Sequence, residues 1–176
     1  INYVDNQAYD YPLIRKKYGL LVILAPLILA ESVIQLLYFS GMKADVITSC
    51  CGSLFSSDGS RVSSDIAALP AGAAMGGFYL AAVLTFLSGA VYWLKGKLGM
   101  LFSWASGVFF LVSCIAFISF ISVYIYELPT HHCPFCVLQR EYGYIGYPLY
   151  AFLLTGVVCG LGVGALMPFA GIGSLA

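Results

Sequence analysis

Charge is what this chain has least of: Asp, Glu, Lys and Arg make up 9% of its 176 residues, where a soluble domain carries roughly 25%. With 61% hydrophobic residues beside that deficit, a water-soluble globular fold is excluded and an integral membrane protein is indicated. Net charge is missing as well. Eight basic residues balance eight acidic ones, so nothing points to nucleic acid, and the few charges inform by position. The opening stretch "INYVDNQAYDYPLI" has two aspartates and lacks the basic segment ahead of an apolar core that a signal peptide needs. No internal repeat is detectable.

What is present is a set of long apolar runs. Residues 18–42 form the first, long enough to cross a hydrocarbon core of ~30 Å at ~1.5 Å per residue. Residues 69–94 and 98–126 form the second and third, and a fourth lies at about 134–168. The expected fold is all-α: a polytopic four-transmembrane-helix bundle forming a single domain. Gly143, Gly146 and Pro148 fall early in the fourth run, which predicts a kink or broken helix where neighbouring helices satisfy the freed backbone groups.

Basic clusters stay cytoplasmic. Arg15, Lys16 and Lys17 precede the first run, and Lys95 and Lys97 separate the second from the third. Residues 1–17 and the C-terminus are thus placed in the cytoplasm. The loop 43–68 and the link "ELPTHHCPFC" fall on the outer side, the periplasm in a bacterium. That loop is too short to fold alone, so a soluble redox partner would be another chain.

The six cysteines divide by location. Cys114 and Cys159 sit within spans and read as small apolar residues. Cys50 and Cys51 in the outer loop, with Cys133 and Cys136 at the outer mouth of the fourth run, face the side where disulfides persist. A C-x-x-C at a helix start has its first thiolate stabilised by unpaired N–H groups and the helix dipole, and Pro134 suits a first turn. A structural disulfide or a zinc half-site would use the same spacing. His131, His132, Cys133 and Cys136 are too crowded in sequence to close a zinc tetrahedron readily, so no metal is expected. Val137 stands where c-type haem attachment requires histidine. The two histidines read as interfacial residues, with proton exchange near the dithiol as the alternative.

Glu31 lies inside the first run with Gln35 one turn on. A carboxylate at that depth needs a partner. Arg140, counted along a helix from Cys133, would lie ~10 Å deep, so Glu31 is expected to pair with it or to form the polar end of a pocket. A protonated Glu31 bonded to a neighbouring helix is the plainer reading, and an interfacial anchor is the plainer reading of Arg140. Tyr142, Tyr144 and Tyr147 suit the interface by default and could line a pocket.

Four spans, cysteines in the loop after the first, and "CPFC" leading into the fourth resemble the vitamin K epoxide reductase family in its bacterial form. The loop stretch with Cys51, Leu54, Phe55, Ser56, Leu69, Pro70 and Tyr79 is similar to that family's pattern. "CVLQR" adds a likeness to the DsbB family, whose C-x-x-C is followed four residues later by an arginine, here Arg140. The resemblance implies a thiol:quinone oxidoreductase of the bacterial inner membrane. Electrons would pass from a thioredoxin-like periplasmic partner to Cys50 and Cys51, then to Cys133 and Cys136, then to a quinone (ubiquinone or menaquinone). Cys136 would face the quinone, and Arg140, Glu31, Gln35 and Tyr142 would line its site. One departure stands out: Cys50 and Cys51 are adjacent. Their α-carbons stand about 3.8 Å apart, below the usual disulfide range. Either they form a strained, easily reduced pair, or one exchanges with Cys133 while the other resolves. The rival expectation is a non-catalytic small subunit of a larger membrane electron-transfer complex, and a metal-binding subunit built on "HHCPFC" ranks below both.

Overall fold

The computed structural model describes residues 1–41, 62–67, 69–129 and 131–173. It is all-α among these residues, with four helices long and apolar enough to cross a membrane. In chain order the first helices are the short α1 (Asn2–Asp5), the spanning α2 (Ile14–Ser40), the short α3 (Val62–Ala67) and the spanning α4 (Ala71–Lys95). The third spanning helix, α5 (Gly99–Tyr126), contains a π-helical turn at Phe117–Ile121, and α6 (Gly146–Leu166) runs on into a 3-10 turn at Met167–Phe169.

The first three spanning helices lie within a few residues of the apolar runs that predict them. The fourth does not. α6 begins at Gly146, about a dozen residues later than expected, and the stretch after the cysteines is folded as two 3-10 turns, Cys136–Leu138 and Arg140–Tyr142. Gly143 ends the second turn with φ +62°, a left-handed conformation that costs glycine least. Pro148 falls in the first turn of α6, where its missing donor breaks no helical bond.

The chain divides into two units, residues 1–47 with 165–176 and residues 48–164. In the first, the N-terminal segment folds back onto the start of α2. The carboxylate of Asp5 is fully buried and accepts from the Leu13 backbone N–H (2.8 Å) and from Lys17 Nζ (3.2 Å), supplying an anion at the positive end of the helix. Lys16 Nζ lies 4.2 Å from the ring centre of Phe169.

In the second unit α4 and α5 form a hairpin. Gly96 closes α4 with φ +62°, and Lys97 and Leu98 complete the turn. Phe78 packs against Phe109 and Phe120, Tyr92 stacks on Phe102, and Thr85 Oγ1 donates to both Ala81 O and Ala105 O. α6 approaches α5 through glycines. A methyl group on Gly160 would collide with Ser106 Oγ, and one on Gly164 with Ser103 Oγ. The serine hydroxyls bond to carbonyls of their own helix, as Ser106 does to Phe102 O and Ser113 to Phe109 O, so they need no water within a membrane.

Candidate functional site: a buried C-x-x-C turn

Tyr126 closes α5, and Glu127 stops the helix with φ +56°. The chain then folds back so that residues 131–138 lie against the end of the helix they have just left. Cys133 is fully buried, Cys136 is 6% exposed, and together with Tyr126 and Val137 they form one cluster, with Ile125, Leu138, Tyr142 and Tyr150 packed around it. Two phenols fasten the turn. Tyr126 donates its hydroxyl to the Cys133 carbonyl and Tyr150 donates to the Pro134 carbonyl, each at 2.5 Å. Phe117 stacks on Tyr150 with ring centres 4.9 Å apart. Gly146 permits the close approach, since a Cβ there would meet Val137 Cγ2 at 2.5 Å.

The π-helical turn also serves this site. Ser122 Oγ donates to Phe117 O (2.5 Å), and the Ile118 carbonyl lies 2.9 Å from Nδ1 of buried His132. A carbonyl can only accept, so Nδ1 of His132 carries the proton. Side-chain insertion of this kind interrupts a helical ladder, and such bulges recur at functional positions. His131 stands edge-on to Tyr126, with ring centres 4.5 Å apart and planes at 83°.

The residues singled out from the sequence fall as follows. Cys133 and Cys136 share the cluster, but Cys136 opens a three-residue 3-10 turn that Cys133 precedes and neither stands at the start of the spanning helix, so the dipole of a long helix does not act on them. Arg140 lies exposed on the second 3-10 turn, and the depth counted along a continuous helix does not apply to it. Tyr142 is half-buried, 4.5 Å from Tyr126 between ring centres. Glu31 accepts from Gln35 Nε2 at 2.8 Å, one turn along α2 in the other unit. Cys50 and Cys51 lie outside the described residues. Cys114 and Cys159, on α5 and α6, are exposed. Among the described residues no three His, Cys, Asp or Glu side chains converge as metal ligands.

Among the described residues, the second unit has two hollows of note. An apolar cavity of about 930 Å³ opens among α4, α5 and α6, lined by Thr85, Gly89, Phe102, Phe109, Gly156 and Cys159 among others. Neither sulfur of the C-x-x-C is on its wall. A shallower depression of about 720 Å³ adjoins the turn, bounded by Tyr124, Glu127, Pro129, Glu141, Tyr142 and Ile145.

Sequence reasoning missed Tyr126, Tyr150 and the glycine face of α6. Gly156, Gly160 and Gly164 recur every fourth residue, a spacing that puts small residues on one helix face and signals close packing. The tyrosines gave no such signal, because their partners are backbone carbonyls of a turn. Comparison of the chain with protein-family models, characterised proteins and solved structures returns no match.

Proposed function

We propose that this chain is an integral membrane thiol:quinone oxidoreductase whose working dithiol is Cys133 and Cys136, on the non-cytoplasmic side. The observation that carries the reading is the burial of both cysteines in one aromatic cluster at the end of α5 farthest from Lys97. Across 28 residues that is ~40 Å at ~1.5 Å per residue, the full depth of a membrane. The lysine end is cytoplasmic by the charge rule, which puts the dithiol where disulfides are made and kept.

Oxidation of the dithiol breaks two S–H bonds and forms one S–S bond, releasing two electrons and two protons. A quinone supplies the two-electron acceptor, on the resemblance of the motif order. This chain's residues hold the turn. The Tyr126 and Tyr150 hydroxyls fix the backbone on either side of Cys133, and the surrounding apolar groups exclude water. Reduction of the disulfide comes by thiol exchange from a thioredoxin-like partner, relayed through Cys50 and Cys51.

The second reading, a structural subunit of a larger electron-transfer complex, draws on the complete burial of Cys133, since structural buried thiols are inert. One experiment separates the two. The reduced protein is mixed anaerobically with a quinone, and free thiols are then trapped by alkylation. The enzyme loses the two thiols of Cys133 and Cys136 in step with quinol formation, and Cys136→Ser abolishes both changes. Thiols that stay unchanged in the wild type, or equal quinol formation in Cys136→Ser, reject the oxidoreductase.

A further inference from the structure

α2 carries a polar pair where a spanning helix can least do without partners. Glu31 stands nine residues before the end of the helix at Ser40, and Gln35 five, or ~14 and ~8 Å at ~1.5 Å per residue. Both lie within the ~30 Å hydrocarbon core crossed by a helix ~40 Å long. Glu31 Oε1 accepts one proton of the Gln35 amide at 2.8 Å. The second amide proton, Gln35 Oε1 and Glu31 Oε2 have no hydrogen-bond partner among the described residues. Both side chains are exposed, and no residue of α2 is buried. Lipid cannot supply the missing bonds, so residues of this kind turn toward protein.

Composition narrows the protein that meets them. Between their ends α4, α5 and α6 contain no Asp, Glu, Asn, Gln, Lys or Arg. Five of their hydroxyls are already committed: Thr85, Ser88, Ser106, Ser113 and Ser122 each donate to a carbonyl of their own helix. A carboxyl and an amide together occur within a span on α2 alone. A second copy inserted in the same direction brings the same pair to the same depth. The rest of the face fits such a pairing. Leu24, Ile28, Glu31, Gln35 and Tyr38 follow one another at alternate steps of four and three residues, the seam along which two helices supercoil. Leu24, Ile28 and Tyr38 are exposed, and polar residues on an apolar seam fix its register.

We propose that α2 is the interface of a parallel homodimer in the membrane, held at its middle by Glu31 and Gln35 of both copies. About a two-fold axis the same patch meets itself. Gln35 of one copy donates its second amide proton to Gln35 Oε1 or Glu31 Oε2 of the other, and the bond is repeated in reverse. The donors and acceptors left over within one chain are thereby matched. The interface belongs to the first unit and owes nothing to the chemistry at the C-x-x-C turn.

Sedimentation equilibrium of the full-length protein in density-matched detergent micelles tests this, under reducing conditions so that no disulfide joins two chains. Wild type is expected to form a dimer whose dissociation constant rises about tenfold in Gln35→Leu and in Glu31→Leu, the scale of one interhelical hydrogen bond. Glu31→Gln, which keeps an oxygen for Gln35 to bond, dimerises as wild type does. Val33→Ala, on the opposite face of α2, leaves the constant unchanged. Helix content read by circular dichroism separates weakened association from unfolding. A wild type that stays monomeric at every concentration overturns the proposal and assigns the polar pair to the chain's own bundle or to a different protein. A dimer that both leucine variants leave at full strength overturns it too, as does equal weakening by Val33→Ala.

Discussion

At the scale of single residues the C-x-x-C depends on partners outside its own motif. The Cys133 carbonyl is buried and takes the Tyr126 hydroxyl. Removing that hydroxyl leaves the acceptor unsatisfied away from water, a loss of about 1–3 kcal/mol. Tyr126→Phe keeps the ring, its edge contact with His131 and its place beside Tyr142, so the change falls on one hydrogen bond. The expected result is a looser turn: Cys133 is alkylated faster in the folded protein at fixed pH, and the unfolding midpoint drops modestly. Equal protection of Cys133 in wild type and variant would show that the phenol does not hold the turn. Asp5 serves the start of α2 in a similar way, joining the Leu13 N–H and Lys17. Asp5→Ala leaves the buried Leu13 N–H without its acceptor, a loss of about 1–3 kcal/mol, and leaves the dithiol chemistry as it was, so a lowered melting temperature with unchanged quinone-linked oxidation is expected.

At the scale of elements the decisive contact is α6 on α5. Gly160 and Gly164 lie so close to Ser106 and Ser103 that no side chain fits between the helices. Gly160→Leu therefore forces the pair apart, at a cost of about 1–3 kcal/mol or more, and it shifts Tyr150 and Gly146, which hold the C-x-x-C turn from α6. Loss of folded protein together with loss of Cys133 protection is expected, whereas Gly156→Ala, where a Cβ meets nothing within 4 Å, is tolerated. Near-wild-type stability of Gly160→Leu would show that the two helices do not pack this closely. The same helices mark how far the sequence could be read. Hydropathy summed over some twenty residues registers a spanning helix whatever its partners, so four were legible. The start of α6 was not, because apolar residues stand on both sides of Gln139, Arg140 and Glu141, while Gly143 and the 3-10 turns are set by local backbone geometry. The thiols were legible as a motif. Their burial, and the two phenols that enforce it, depend on how the link folds back onto Tyr126, which no periodicity encodes.

At the scale of the whole molecule the question is which side the dithiol faces. If all four helices span, the proposed topology returns the chain to the side it started from, in keeping with Lys16 lying over the ring of Phe169 within the first unit. Lys95 and Lys97, in the turn between α4 and α5, are separated from the link after Tyr126 by all of α5. On the proposed orientation Arg15 to Lys17 and Lys95 with Lys97 would all face the cytoplasm, as the positive-inside rule requires. Leu128 in the link is half exposed and on this proposal would report the opposite side. A Leu128→Cys variant in right-side-out vesicles is expected to react with a membrane-impermeant maleimide, and Lys97→Cys is expected to react only after the membrane is opened or inverted. Labelling of Lys97→Cys from outside would reverse the orientation and put the C-x-x-C in a reducing compartment, where a disulfide-making role has no outlet.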